Sequence, residues 1–369
     1  MSRYRLKKNI GFVVVHIGAG SHTKVYENQY KKLCKRACKE AMEWVQSGGK
    51  AVEAVEKAIR LLETNEYTNA GYGSNLTLNG EVECDASVMD GFSGKLSAVG
   101  ALKKIEHPIS VAKALLDTQD DFLSLNRNQP VILVGEGATS WAIQYGISEV
   151  DPETLISPKS RALWEKWKKE LDVAKVLNIE SISDTVGAIV VDNNGILAAG
   201  SSSGGIAMKY PGRLGLAAVP IAGTWVEMNE DGTGVAVICS GSGEQIIATG
   251  LARKCCERIL VASRVVRGCI PFAGLVVVKT ELLEDNHYAI HFLFAHCTPS
   301  MGIGYIFSND TESKVEISEN KKSPNSFVFK ALEELFIFFC NIFLSNMVSH
   351  VKHFGYTTQK TINVNKNYK

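Results

Sequence analysis

The chain has 369 residues, of which 45% are hydrophobic and 21% are charged. These values are typical of a globular protein with a sizeable core, and they exclude a fibrous or largely disordered chain. The formal net charge of +1 produces no field that would favour nucleic acid or an acidic membrane surface, so we expect neither as a partner.

Cysteine usage and the first residues both favour an intracellular location. The nine cysteines lack the paired spacing of a zinc site, so we expect reduced thiols, no metal and no cofactor. Basic residues precede the apolar run 10–17, as they do in a secretory signal. Because this run is short, contains His16 and leads into a glycine turn, it is predicted to be a buried strand of a cytoplasmic or nuclear protein.

The first 150 residues contain three predicted helices and four predicted strands. The helices have apolar residues three or four apart and cover about 27–46, 51–63 and 108–116. The strands are short apolar runs near 10–17, 82–89, 96–102 and 131–134.

Residues 151–184 differ in character, because 159–175 forms a basic helical stretch with only a thin apolar stripe. This segment is predicted to be an exposed connector. Beyond it we expect a helix near 245–260 and strands near 186–191, 197–201, 235–239, 275–278, 287–296 and 302–307. Strands grouped with helices in this way predict an α/β (α+β) fold, a four-layer αββα sandwich.

The tail, 320–369, diverges from the preceding domain. Residues 327–348 are rich in Phe, Ile and Leu, but charged residues interrupt them in a way that disfavours a membrane span. An amphipathic helix that packs on the domain and an artefact of the gene model both remain open.

The pair Asp184-Thr185 stands directly before a predicted strand. A threonine hydroxyl is a poor nucleophile unless a base lies nearby. If the bond between these residues were cut, the new α-amine of Thr185, with a reference pKa of about 7.7–8.0, would be such a base. Alone, an Asp-Thr pair is more often a cap or a turn.

Three glycine-containing segments follow this pair in the sequence. They are 201–205 (SSSGG), 211–215 (PGRLG) and 239–244 (CSGSGE). Hydroxyls beside glycines allow backbone amides to approach a developing oxyanion, and an arginine flanked by glycines suits a substrate carboxylate. The order of these segments favours an active site.

Together these segments resemble the type 2 asparaginase family of N-terminal-nucleophile (Ntn) hydrolases over residues 10–319. The motifs that carry the resemblance are 16–20 (HIGAG), 69–71 (NAG), 84–91 (CDASVMDG), 184–187 (DTVG) and 211–213 (PGR). Within the family, the chain is most similar to the threonine aspartase (taspase) branch. The features of that branch are 68–75 (TNAGYGSN), 134–138 (VGEGA) and Ser300-Met301.

The resemblance implies a role for each matching position. Self-cleavage between Asp184 and Thr185 would free Thr185 as the nucleophile, and Ser203 would polarise it. Arg213 would hold a substrate carboxylate, with Asn69 supporting the pocket. The implied catalytic residues are Thr185, Ser203, Ser240 and Gly241, and the implied substrate-binding residues are Arg213, Asn69 and Gly243.

The resemblance also implies an organisation into two halves. Residues 1–184 would be the α-subunit half and 185–319 the β-subunit half of one Ntn-hydrolase domain. Cleavage of this zymogen would give an α/β heterodimer, and two heterodimers would associate. Protein substrates with aspartate at the cleaved bond are the implied partners.

Position 216 separates the possible activities. Relatives that hydrolyse free asparagine carry an aspartate three residues after the arginine, where this chain has Leu216. We therefore expect a self-processing threonine endopeptidase that cleaves protein substrates after aspartate. Two alternatives stay open: an asparaginase, isoaspartyl peptidase or glycosylasparaginase, and a catalytically inactive binding relative.

Overall fold

The computed structural model describes residues 5–6, 11–173, 185–260, 273–283, 288–320 and 328–331. Its helices are α1 (Glu27–Gln46), α2 (Ala51–Glu63), α3 (Pro108–Asp117), α4 (Gly135–Gln144), α5 (Pro158–Val173), α6 (Pro220–Gly223), α7 (Gly243–Thr249) and α8 (Leu251–Leu260). Its strands are β1 (Arg5–Leu6), β2 (Phe12–Gly20), β3 (Cys84–Asp90), β4 (Leu96–Leu102), β5 (Phe122–Leu123), β6 (Arg127–Asn128), β7 (Ile132–Val134), β8 (Val186–Val191), β9 (Leu197–Ser203), β10 (Thr224–Met228), β11 (Gly234–Gly241), β12 (Ala273–Leu282), β13 (Tyr288–His296), β14 (Ser300–Phe307), β15 (Lys314–Glu319) and β16 (Val328–Ala331).

Two large sheets form the centre of the fold. The first has eight strands in the order β15-β14-β2-β8-β9-β3-β4-β7, and only the pair of β4 and β7 is parallel. The second has the order β1-β13-β12-β11-β10, with β16 also paired to β13. The strands β5 and β6 form a separate two-stranded sheet.

Alternating side chains on β2 face two different cores, because successive residues of a strand point to opposite faces. Val13 and Val15 pack with α1 to α4 in one core, and Phe12 and Val14 pack against the second sheet in another. Strand β8 divides its residues in the same way, with Val190 in the first core and Ile189 in the second.

A third core lies on the outer face of the second sheet. Val235 and Val237 of β11 pack there with residues of α6, α7 and α8, whereas Ala236 and Ile238 face the first sheet. The layers are therefore helices, sheet, sheet and helices. This arrangement confirms the predicted α/β fold as a four-layer αββα sandwich.

The structure corrects one helix. The single helix expected at 245–260 is two helices, α7 and α8, because Gly250 adopts a left-handed conformation with φ of +58°. Glycine enters this region without steric penalty, and it often ends a helix there.

Part of the tail has a different structure from the helix that its sequence allowed. Val328–Ala331 form β16, which pairs antiparallel with residues 293–296 of β13. The other tail residues from 321 onward lie outside the described part of the chain.

The segment predicted to be an exposed connector contacts the rest of the protein through its helix, α5. Most side chains of α5 are exposed or half-buried, but Trp164 packs against a small core that contains Leu76 and Val82. The indole nitrogen of Trp164 donates a hydrogen bond to the Thr77 carbonyl over 2.9 Å. The end of the connector, 174–184, lies outside the described residues.

The helices that the structure describes include none with the length and apolar character needed to cross a membrane.

Candidate active site

The hairpin of β8 and β9 brings the predicted nucleophile to a second hydroxyl. Val186 lies opposite Ser202 in the register, so Thr185 and Ser203 meet at the open end of the hairpin. Thr185 Oγ1 donates a hydrogen bond to Ser203 Oγ over 3.2 Å, and both side chains are buried. Asp184, the other half of the predicted cleavage site, lies outside the described residues.

A glycine turn follows Ser203. Gly205 has φ of +71°, a conformation that favours glycine, and its N–H donates to Ser203 Oγ over 3.0 Å. Asn69 Nδ2 donates to the Gly205 carbonyl over 2.7 Å, and the Asn69 carbonyl accepts from Gly204 N–H over 2.8 Å. Asn69 thus holds the loop that contacts Ser203 through two hydrogen bonds, and its role in a substrate pocket stays a prediction.

Arg213 lies against three glycines around this loop. A Cβ atom would lie 3.0 Å from Nη1 at Gly205 and 2.9 Å from Nη1 at Gly215. At Gly243 a Cβ would lie 2.8 Å from Nη2. A side chain at any of these positions would meet the guanidinium, so the three glycines leave the space beside Nη1 and Nη2 free of side chains from these positions. This glycine-lined space is called the Arg213 pocket.

Two buried carboxylates that the sequence analysis did not single out hold the Arg213 loop. Glu83 accepts a hydrogen bond from Gly212 N–H over 2.7 Å, and Asp85 accepts from Gly215 N–H over 2.6 Å. Burial raises the pKa of Asp85, and the nearby charges of Lys209 and Arg213 oppose this effect. The signal in the sequence was a pair of acidic residues two positions apart, Glu83 directly before β3 and Asp85 within it, in an otherwise apolar stretch.

Ser240 and Gly241 lie at the end of β11, beside the end of β2. Ser240 Oγ accepts a hydrogen bond from Ala19 N–H over 2.9 Å, which joins the two sheets at this point. Gly241 has φ of +127° and leads toward Gly243. The structure therefore connects the segment 240–243 to Arg213 through Gly243, whereas Ser240 makes its described contact with the β2 end.

His16 was part of a quoted motif but had no assigned role. It lies opposite Gly187 in the pairing of β2 with β8, and a Cβ at Gly187 would lie 2.6 Å from Nε2. Its Nδ1 accepts from Gly18 N–H over 3.3 Å. Burial, and then the charge of His22, lower the pKa of His16 to about 3.

The low pKa of His16 predicts acid sensitivity. An unfolded histidine binds a proton below about pH 6.5, but folded His16 does so only near pH 3. The unfolded state therefore binds more protons within this window, and the free energy of unfolding falls by up to about 1.4 kcal/mol per pH unit of acidification.

Urea unfolding of the Thr185→Ala chain between pH 7 and pH 4 measures this dependence. The His16→Gln variant should lose less stability on acidification. A residual slope is expected because His296 also has a pKa lowered to about 4, mainly by burial. If the free energy of unfolding fell equally steeply with pH in both chains, the low pKa would not belong to His16.

Leu216 is buried in the third core, where a Cβ at Gly223 would lie 3.1 Å from its Cδ1. The side chain therefore turns away from the Arg213 pocket. At this position the chain offers no carboxylate for a substrate ammonium group.

Within the described ranges, no cluster of three or more His, Cys, Asp or Glu side chains has the arrangement of a metal site. Burial also raises the pKa of the Cys34 and Cys255 thiols to about 12, so neither is an activated nucleophile.

Comparison with known proteins identifies the family of the chain. The asparaginase family model (Asparaginase_2) matches residues 9–266, which contain Thr185, Ser203, Arg213 and the 240–243 segment. The chain therefore belongs to the type 2 asparaginase family, within the Ntn hydrolases.

Individual members of the type 2 asparaginase family are similar over most of their length. The isoaspartyl peptidase/L-asparaginase of Xenopus laevis is 35% identical over 246 residues, 65% of this chain and 73% of the relative. The Mus musculus protein of the same name is 36% identical over 242 residues, 65% of this chain and 70% of the relative. A plant-type L-asparaginase of Pyrobaculum calidifontis is 35% identical over 252 residues, 65% of this chain and 77% of the relative.

Proposed function

We propose that the chain is a self-processing threonine endopeptidase that cleaves protein substrates on the carboxyl side of aspartate. Cleavage before Thr185 would place an α-amine beside its own hydroxyl, so one residue would supply both the base and the nucleophile. Thr185 Oγ would attack the carbonyl of the substrate aspartyl residue while the α-amine takes the hydroxyl proton. The peptide bond would then break, the following segment would leave as an amine that receives this proton, and water would hydrolyse the ester left on Thr185.

The endopeptidase proposal rests on one observation: the carboxylates beside Arg213 already have hydrogen-bond partners within the protein. Asp85 is engaged by the amides of Ala101 and Gly215, and Glu244 is engaged by Arg213 itself. An amino-acid substrate would bring an α-ammonium group, and a buried unpaired ammonium costs several kcal/mol. A peptide has no charge at that position, which favours an aspartyl residue within a longer chain.

A second candidate is isoaspartyl peptidase and L-asparaginase activity. The names of the vertebrate relatives at 35% and 36% identity favour it. In that case Arg213 would hold the α-carboxylate of a free amino acid or dipeptide. Either activity would use Thr185 as the nucleophile.

A comparison of four substrates tests the proposal. The processed protein would be given a peptide with an internal aspartate, the same peptide with asparagine, an isoaspartyl dipeptide and free asparagine. We expect the aspartyl peptide to have the highest kcat/KM, and Thr185→Ala to be inactive on all four. Faster turnover of free asparagine or of the isoaspartyl dipeptide would establish the second candidate instead.

A further inference from the structure

Arg213 has a carboxylate partner outside the glycine-lined pocket. Glu244, the second residue of α7, accepts two hydrogen bonds on its Oε1. The distances are 2.9 Å to Nε and 2.6 Å to Nη2 of Arg213. The Arg213 side chain is 15% exposed and the Glu244 side chain is 64% exposed, so the pair links the pocket to the surface.

The two hydrogen bonds fix which edge of the guanidinium faces the pocket. A guanidinium carries five N–H groups in a flat fork, and Glu244 accepts from Nε and Nη2 along one side. The end of the fork, formed by Nη1 and Nη2, lies against Gly205, Gly215 and Gly243. A carboxylate that enters between these glycines can therefore meet two parallel N–H groups at that end.

Glu244 remains ionised while it accepts these two hydrogen bonds from Arg213. Partial burial opposes its ionisation, but the hydrogen bonds from Arg213, a hydrogen bond from its own backbone N–H and the charge of Arg213 together lower the pKa of Glu244. The pair also keeps Arg213 from turning its Nε side toward the pocket. A long side chain without such a partner would sample several rotamers, and ordering it on binding would cost free energy.

We propose that Glu244 is a positioning residue that presents the Nη1–Nη2 end of Arg213 to the carboxylate of the substrate. This inference rests on the proposed function in one respect, namely that Arg213 binds a substrate carboxylate. Glu244 does not touch the reacting atoms. Its loss should therefore weaken substrate binding and leave the chemical step largely intact.

Michaelis kinetics of Glu244 variants test this role. Glu244→Ala should raise KM about tenfold or more, with kcat within about threefold, because a hydrogen bond to a charged group contributes about 1.5–3 kcal/mol. Glu244→Gln can still accept from both nitrogens and should stay within about threefold of the parent KM. Glu244→Ser serves as a second truncation if the alanine variant does not fold.

Glu257→Ala is a matched control, because Glu257 forms a similar ion pair with Arg253 on α8, 2.7 Å from its Nε. This variant should have unchanged kinetics. In the Arg213→Lys background, the effect of Glu244→Ala on KM should shrink, since the fork that Glu244 holds is gone.

Two results would overturn the inference. A KM within about threefold of the parent for both truncations would show that Arg213 needs no positioning. A KM below that of the parent would show that Glu244 competes with the substrate carboxylate. The kinetics of the Glu244 variants are measured on whichever of the four substrates is turned over best. The ranking of the substrates tests the proposed function, and the KM values of the Glu244 variants test this inference.

Discussion

The purified chain is expected to convert into two fragments, and Thr185→Ala is expected to remain intact. The hydroxyl of Thr185 is buried and donates a hydrogen bond to Ser203 Oγ over 3.2 Å, and a hydroxyl polarised in this way is a better nucleophile. Attack of Thr185 Oγ on the Asp184 carbonyl would break the amide bond, with the hydroxyl proton passing to the nitrogen, so that Asp184 becomes an ester on Thr185 and the α-amine of Thr185 is freed. Water would then hydrolyse this ester and release the carboxyl group of Asp184.

The measurement needs more than a gel. Residues 1–184 and 185–369 are nearly equal in length, so both fragments of the 40.2 kDa chain would migrate together. Mass spectrometry of the intact fragments, or sequencing from the new amino terminus, identifies Thr185 as the first residue. A parent chain that stays whole after long incubation at neutral pH would instead favour an inactive binding relative.

Neighbouring serines provide a matched pair of variants for self-cleavage. Ser203→Ala should slow processing by about tenfold or more, since one oxyanion-site or nucleophile-polarising hydroxyl typically contributes that much. Ser202 is equally buried but points to the opposite face of β9, so Ser202→Ala should process at nearly the parent rate. Equal slowing by both changes would indicate damage to the strand and not loss of a catalytic contact.

Replacement of Arg213 by alanine is expected to reduce kcat/KM for cleavage in trans at least about 100-fold, equivalent to about 2.7 kcal/mol. The substrate carboxylate would enter the glycine-lined pocket and find no charge partner, and an unpaired buried charge is costly. Glu244 would lose its partner as well.

Steady-state kinetics on the aspartyl peptide measure this loss. Arg253→Ala, which removes an exposed arginine from a comparable pair, should keep full activity. Arg213→Lys retains a positive charge without the planar fork, so its kcat/KM should lie between those of Arg213→Ala and Arg253→Ala. Activity of Arg213→Ala within about threefold of the parent would show that the pocket lies elsewhere.

Local sequence patterns predicted most of the fold. Apolar periodicity predicted α1 and α2 with the observed bounds, and short apolar runs predicted β8 with its observed bounds and most of β9. Strands β10 and β15 were missed because they are short and only weakly apolar. The break between α7 and α8 could have been predicted from Gly250, because a glycine within a helical pattern often ends a helix. The apolar periodicity continues through Gly250, and so it predicted a single helix.

The candidate site was predictable only where its residues share a hairpin. The distance between Thr185 and Ser203 follows from the register of β8 and β9, which short-range sequence determines. The contact of Asp85 with Gly215 joins residues 130 positions apart, and that of Glu244 with Arg213 joins residues 31 positions apart. Such contacts depend on how the layers pack, and no local pattern encodes them.

The order of strands in the first sheet has a consequence for the cut chain. From one edge to the other, β15 and β14 come from the later half, β2 from the earlier, β8 and β9 from the later, and β3, β4 and β7 from the earlier. Strand β2 is therefore paired on both sides with strands of the other half, and β8 begins at Val186, the second residue after the predicted cut. Separation of the fragments would break three strand pairings inside a buried sheet, so a cut before Thr185 would change the covalent chain without releasing either piece. Two fragments synthesised apart would each lack the neighbours that complete this sheet, so we expect the sheet to assemble in the chain before any cut is made.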